Sequence, residues 1–165
     1  YNEDTREMFD LDRYDYIVDA IDSLSHKADL IRTATKTQAT LVSSMGAALK
    51  IDPSRIQVAE FWKVKGCPLA AALRRKMKKG EKPSKKFFCV FSDEVLPNHS
   101  IDLSKKSLGD TSDEKPVEGN QNLIGHDWNV LKAQINGTFM HITAIFGLRL
   151  ASIIIQDIYK KLSEN

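Results

Sequence analysis

The stretch from Tyr14 to Ser44 constrains the fold of this chain more than any other, because it passes from strand to helix and back within one short span. Tyr14-Asp15-Tyr16-Ile17-Val18-Asp19-Ala20-Ile21 is predicted as a strand. Tyr16, Ile17 and Val18 favour extended backbone, and a near-continuous run of this kind suits a strand covered on both faces. From Ser25 to Lys36 the spacing becomes helical, with Ala28, Ile31, Arg32 and Thr35 on one side and Ser23 or Ser25 available as the cap. Thr40-Leu41-Val42-Ser43-Ser44 reads as a second strand, ended by Gly46. Strand, helix and strand in this order form the pattern of a βαβ crossover on a parallel sheet.

Beyond Asp52-Pro53, which marks a turn, Arg55 to Trp62 is predicted as a strand with Ile56, Val58 and Phe61 alternating along it. Pro68 suits a first helical turn, and Leu69 to Met77 continues as a helix that Gly80 and Pro83 stop. Phe87 to Phe91 is a strongly apolar strand, and Gly137 to Leu162 an apolar helix ending in Lys160-Lys161. Between them Pro97 to Asn122 is polar and holds Gly109, Pro116 and Gly119, the composition of a flexible loop, lid or linker. The sum is an α/β fold with a mixed sheet and no internal repeat.

With 165 residues, 42% hydrophobic and 28% charged, the chain has the size and balance of one soluble globular domain or part of one. That excludes a disordered chain, a collagen-like repeat and a disulfide-stapled miniprotein. Tyr1-Asn2-Glu3-Asp4 is polar, carries no signal-peptide pattern and reads as the middle of a longer protein. Cys67 and Cys89 form no CxxC pair, so no four-thiolate zinc site is expected, and Cys89 in its apolar run reads as a small buried hydrophobe. One disulfide between them is possible on paper, but nothing demands an oxidising compartment, and the cytoplasm is the expected location. The most apolar stretch, Phe139 to Ile155, carries His141 and Arg149 and falls short of the ~20 residues a bilayer requires, so a buried helix and no membrane span is expected.

Two features carry candidate chemistry. Asp22 follows a predicted parallel strand and precedes a helix, and in open α/β sheets ligands collect outside the carboxyl ends of strands. An Asp there suits Mg²⁺, which takes one or two carboxylates and completes its shell with water and phosphate oxygens; it equally suits a helix cap. The second is the basic run of Arg74, Arg75, Lys76, Lys78, Lys79, Lys82, Lys85 and Lys86, eight cations in thirteen residues against Glu81 alone. Such a cluster attracts nucleic-acid phosphates by counterion release, or is simply a solvated face. His26, His99, His126 and His141 have no metal-ligand spacing, no GxSxG elbow occurs, and neither GxGxxG nor GxxxxGK[ST] is present.

Asp19-Ala20-Ile21-Asp22-Ser23, Lys27-Ala28 with Leu30-Ile31, Ile51-Asp52-Pro53 and Ile56-Gln57-Val58 resemble the second half of the HesA/MoeB/ThiF superfamily, relatives of ubiquitin-activating enzymes. The resemblance is strongest to its tRNA threonylcarbamoyladenosine dehydratase branch. It continues through Pro68-Leu69-Ala70-Ala71, Leu73-Arg74, Cys89-Val90-Phe91-Ser92 with Glu94, Thr143-Ala144 and Phe146-Gly147, in the family's order. It implies a Rossmann-like mixed sheet, the C-terminal part of an activating-enzyme-like adenylation domain. It also implies an enzyme using ATP and Mg²⁺ to adenylate the threonyl carboxylate of a modified tRNA adenosine, which then closes a ring with net loss of water. On the matching motif Asp22 would hold Mg²⁺ and the ATP phosphates, with Ser23 and Lys27 beside the nucleotide and the basic run as a tRNA contact. Homodimerisation follows from the same resemblance.

The family's glycine-rich nucleotide loop and its catalytic Arg and Lys lie upstream of this motif and are not in this chain. A cysteine that some members carry before the terminal helix is replaced by Val130-Leu131-Lys132-Ala133. The chain alone is therefore expected to be inactive. An adenylating enzyme for a ubiquitin-like sulfur carrier is the first alternative, weakened by the lack of paired CxxC motifs. A non-catalytic basic RNA-binding domain is the second. A nicotinamide oxidoreductase is disfavoured by the missing dinucleotide fingerprint.

Overall fold

The computed structural model describes residues 1–97 and 137–164. The chain divides into two compact units; the first, Tyr1–Leu96 with Thr138–Asn165, is described below. The predicted 97–122 loop, His99, His126 and the 130–133 segment lie outside the described residues, Pro97 apart.

The strands are β1 (Tyr16–Asp19), β2 (Thr40–Ser44), β3 (Ile56–Glu60) and β4 (Phe88–Ser92), in the sheet order β1-β2-β4-β3. β1, β2 and β4 run parallel, with Ile17 opposite Leu41 and Ser43 opposite Cys89, while β3 pairs antiparallel with β4 at the edge. The βαβ expectation and the mixed α/β sheet both hold.

Because side chains alternate across a strand, the sheet separates two cores. Ile17, Leu41, Cys89 and Phe91 face a cluster built by α1 (Leu24–Ala34) and α2 (Pro68–Lys79) through Ala28, Ile31, Ala34, Ala70, Leu73 and Met77. Val42, Val90 and Ile56 face the other way, onto Ile142, Phe146 and Leu150 of α3 (Met140–Ser163). Those three helical residues recur every fourth position, so α3 covers the sheet with one narrow stripe. At its far end Tyr16 Oη donates to Asp157 Oδ2 at 2.6 Å, and Lys161 Nζ lies 2.8 Å from the same oxygen. Lys161 and Tyr16 together hold the Asp157 carboxyl below the usual carboxylate range. By length and composition α3 is also long enough to cross a membrane, being longer than the Phe139 to Ile155 run suggests. The expected buried helix is not what the structure shows: only the stripe of Ile142, Phe146 and Leu150 is buried against the sheet, and most of the apolar window stays exposed, because a helix packed on one side covers one narrow face.

Several boundaries differ from expectation for identifiable reasons. β1 stops at Asp19, whose carboxylate accepts the Ile21 amide at 3.0 Å, so Ala20 to Ser23 form a turn rather than the end of the strand. α1 begins at Leu24 and ends at Ala34, where the Thr35 hydroxyl donates to the Ile31 carbonyl at 2.8 Å. β3 ends at Glu60, whose carboxylate accepts the Trp62 amide at 3.1 Å and starts a 3₁₀ turn. Phe61 thereby leaves the strand alternation and enters the α1/α2 core, stacked on Phe87 at 4.9 Å.

Truncating Phe146, which is 2% exposed, to Ala is expected to cost about 3–5 kcal/mol in urea unfolding. Leu148→Ala, on the open face of the same helix at 69% exposure, is expected to stay within about 0.5 kcal/mol. Equal losses at the two positions would contradict the one-stripe packing of α3.

Candidate functional site

Parallel pairing brings the carboxyl ends of β1, β2 and β4 to one edge of the sheet, and the turn after β1 opens there. Asp19, the last residue of β1, shares the face of Ile17 and lies beneath α1, completely buried. A buried carboxylate requires compensation, and Lys27 supplies it: Lys27 Nζ lies 2.8 Å from Asp19 Oδ2, with both side chains at most 1% exposed. The Ser43 hydroxyl donates to the same oxygen at 2.5 Å from the neighbouring strand, and Asp19 Oδ1 accepts the Ile21 amide at 3.0 Å. Lys27 Nζ also donates to the Ile21 carbonyl at 3.0 Å. Both backbone polar groups of Ile21 are thus consumed by the Asp19–Lys27 pair.

Ser23 follows as the N-cap residue of α1. Its carbonyl accepts the Lys27 amide at 2.9 Å, but its hydroxyl makes no capping bond. Asp22 sits between the two anchored residues, and both Asp22 and Ser23 expose their side chains. Of the sequence-predicted nucleotide residues, Asp22 and Ser23 face solvent, while the ammonium of Lys27 is turned inward onto Asp19.

A second buried anchor stands at the same edge. Lys50, 3% exposed, donates to the Glu94 carbonyl beyond β4, and burial pulls its ammonium below the usual lysine range. The Glu94 carboxylate accepts the Ile51 and Asp52 amides at 2.9 and 3.0 Å. Asp93 pairs with Arg55 Nε at 2.9 Å, which holds its carboxyl below the ordinary value. Gly66, at φ +73°, passes so close that a Cβ there would lie 2.7 Å from Asp93 Cβ. His141 Nε2, 3.0 Å from the Ile51 carbonyl, ties the start of α3 to this edge. Sequence reasoning gave Asp19, Lys50 and Glu94 no role at the site.

Among the described residues no group of three or more His, Cys, Asp or Glu is placed to hold a metal ion. An all-protein cage is therefore not what this edge offers. One accessible carboxylate on a fixed turn does fit Mg²⁺, which keeps waters and shares phosphate oxygens. Cys67 and Cys89 are both free and buried, and burial pushes the Cys89 thiol far up, so it is a packing residue.

The basic run does not form one array. Arg74 Nη1 donates to the Phe61 carbonyl at 3.2 Å, and Lys85 Nζ bridges the Thr37 and Ala39 carbonyls at 2.5 Å each, so these two cations pin loops. Lys76, half-buried, reaches Ser25 Oγ at 3.5 Å. Arg75, Lys78, Lys79, Lys82 and Lys86 are exposed and leave a smaller cationic surface than the count of eight suggests.

Lys27→Met leaves Asp19 buried and uncompensated, and a loss of about 3–5 kcal/mol is expected in chemical denaturation. The double variant D19N/K27M, with no buried charge, is expected to recover most of it. Cys89 is expected to resist a disulfide-exchange reagent until the protein unfolds, and rapid labelling of the native chain would contradict its burial.

No protein-family model matches the chain. Over 94 residues it is 40% identical to the tRNA threonylcarbamoyladenosine dehydratase of Bacillus subtilis, an alignment covering 57% of this chain and 37% of that protein. Over 149 residues it is 32% identical to dehydratase 2 of Saccharomyces cerevisiae, covering 89% of this chain and 31% of that protein. The crystal structure of the Escherichia coli enzyme, TcdA, in complex with AMP superposes with a TM-score of 0.67 at 27% identity, covering 99% of this chain and 56% of that one. The chain thus spans about a third of the length of these curated relatives. In sequence and in fold it is similar to the tRNA threonylcarbamoyladenosine dehydratases, of which it matches a part.

Proposed function

We propose that this chain contributes the metal-side part of an ATP-dependent tRNA threonylcarbamoyladenosine dehydratase. The observation that carries the proposal is the Asp22 carboxylate, exposed on a turn that two anchored residues hold at the carboxyl edge of parallel strands, in a chain similar to those enzymes. A carboxylate is a poor electrophile until it has a good leaving group. Its attack on the α-phosphorus of ATP, with pyrophosphate expelled, makes AMP that leaving group. The carbamoyl oxygen then displaces AMP and closes the ring, and one water is lost overall. Mg²⁺, when bound, supplies charge neutralisation at the phosphates. Asp22 is the residue here that would hold it, with Ser23 beside it.

Arg75, Lys78, Lys79, Lys82 and Lys86 form the surface proposed to meet tRNA phosphates. The open face of α3, where Met140, Leu148, Ile155, Tyr159 and Leu162 are exposed, suits self-association and supports the proposed homodimer. The cytoplasm, where ATP, tRNA and reduced thiols coexist, is the compartment this function calls for.

In the full-length protein, ATP–pyrophosphate exchange is expected to depend on threonylcarbamoyl-modified tRNA, and Asp22→Asn to lower it by about 10²-fold. Exchange driven instead by a ubiquitin-like carrier would establish the sulfur-carrier alternative. Salt-dependent RNA binding with no ATP turnover would establish the non-catalytic one. The 165-residue chain by itself is expected to show no micromolar ATP affinity by calorimetry, since the glycine-rich loop is not in it.

A further inference from the structure

We propose that Lys27 is a positioning residue that aims Asp22, acting with Asp19 and Ser43, and that it does not touch the nucleotide. The proposal rests on the assignment of Asp22 as a Mg²⁺ ligand and changes the role that the resemblance gives Lys27. Lys27 brackets Asp22 with two different groups. Its ammonium donates to the carbonyl of Ile21, the residue before Asp22, at 3.0 Å. Its backbone amide donates to the carbonyl of Ser23, the residue after Asp22, at 2.9 Å. Asp19 completes the clamp by accepting the Ile21 amide at 3.0 Å, and its other oxygen is held by Ser43 at 2.5 Å.

For Lys27 to reach a phosphate, its ammonium would have to leave the Asp19 carboxylate, 2.8 Å away and fully buried, without a counter-charge. That exchange is unfavourable because it leaves a buried carboxylate uncompensated. The same pair that forbids direct contact fixes the direction of the turn. A carboxylate that must present an oxygen to a hydrated divalent ion gains affinity when its backbone is already oriented, as outer-shell partners of metal ligands do elsewhere. Ser43 extends the clamp into β2, so the turn is referenced to two strands of the sheet and not to α1 alone.

The test uses the ¹⁵N-labelled chain and Mn²⁺ as the probe, because paramagnetic broadening reports binding without turnover. In the wild-type protein Mn²⁺ is expected to broaden the Asp22 and Ser23 amide signals, and Asp22→Asn to abolish the effect. D19N/K27M carries no unpaired buried charge, which keeps its core folded for the comparison. It is expected to lose about tenfold in Mn²⁺ affinity at Asp22 and to speed hydrogen exchange of the Ile21 amide by about tenfold or more. Lys27→Arg, which keeps the charge, is expected to restore most of both. A folded D19N/K27M with wild-type Mn²⁺ affinity and wild-type Ile21 exchange overturns the proposal. If Mn²⁺ leaves wild-type Asp22 untouched, the metal assignment fails by itself; Ile21 exchange then decides the clamp, faster exchange in D19N/K27M supporting it and unchanged exchange overturning it.

Discussion

A carboxylate and an ammonium that bury each other beneath α1 set the local geometry on which the candidate site depends. Asp19 and Lys27 are both effectively excluded from solvent, and such a pair costs desolvation that only good geometry offsets. Here the geometry is supplied by Ser43 on one oxygen and by the two backbone groups of Ile21. The pair joins the end of β1, the first turn of α1 and the middle of the sheet at one point. The turn that carries Asp22 is defined by that junction, so the metal binding proposed for Asp22 and the folding of the crossover would draw on the same contacts.

The opposite end of the same edge uses a related device. Lys50 and Glu94 are buried where the chain leaves β2 and β4, and the Glu94 carboxylate takes up two consecutive amides that no strand partner satisfies. Both anchors place a buried charge against irregular backbone, which otherwise would leave polar groups unpaired. The strand ends are thereby held in place while the side chains of Asp22 and Ser23 remain open to solvent.

How much of this was legible in the sequence varies by element. Thr40 to Ser44 is predicted and observed with the same bounds, because an apolar pair flanked by polar residues and Gly46 leaves little freedom. β1 is half as long as its eight-residue pattern, since extended propensity does not reveal that the Asp19 carboxylate takes up the Ile21 amide. The ion pair was nonetheless readable in principle. Period two puts Asp19 on the buried face of Ile17, and helical spacing puts Lys27 in line with Ile31, so the face bearing a buried acid also holds a cation. Phe61 was misplaced because the Glu60 side chain restarts the backbone as a 3₁₀ turn, a local hydrogen bond that alternation does not show. Arg74 and Lys85 looked like part of one patch because charge counting ignores distant carbonyls. α3 is apolar on more than one side; its core stripe follows from spacing, whereas what meets its open face does not.

The resemblance to the dehydratases supplied Asp22, and the structure supplies the reason that residue can be held still. The most direct measurement is a crystal structure of the full-length protein with Mn²⁺ and a non-hydrolysable ATP analogue, read by the anomalous signal of the metal. A manganese peak is expected at the Asp22 carboxylate, shared with phosphate oxygens, while the Lys27 ammonium stays on Asp19 and the Ile21 carbonyl. A metal bound elsewhere, or a Lys27 ammonium withdrawn from Asp19 onto a phosphate, would contradict the central claim.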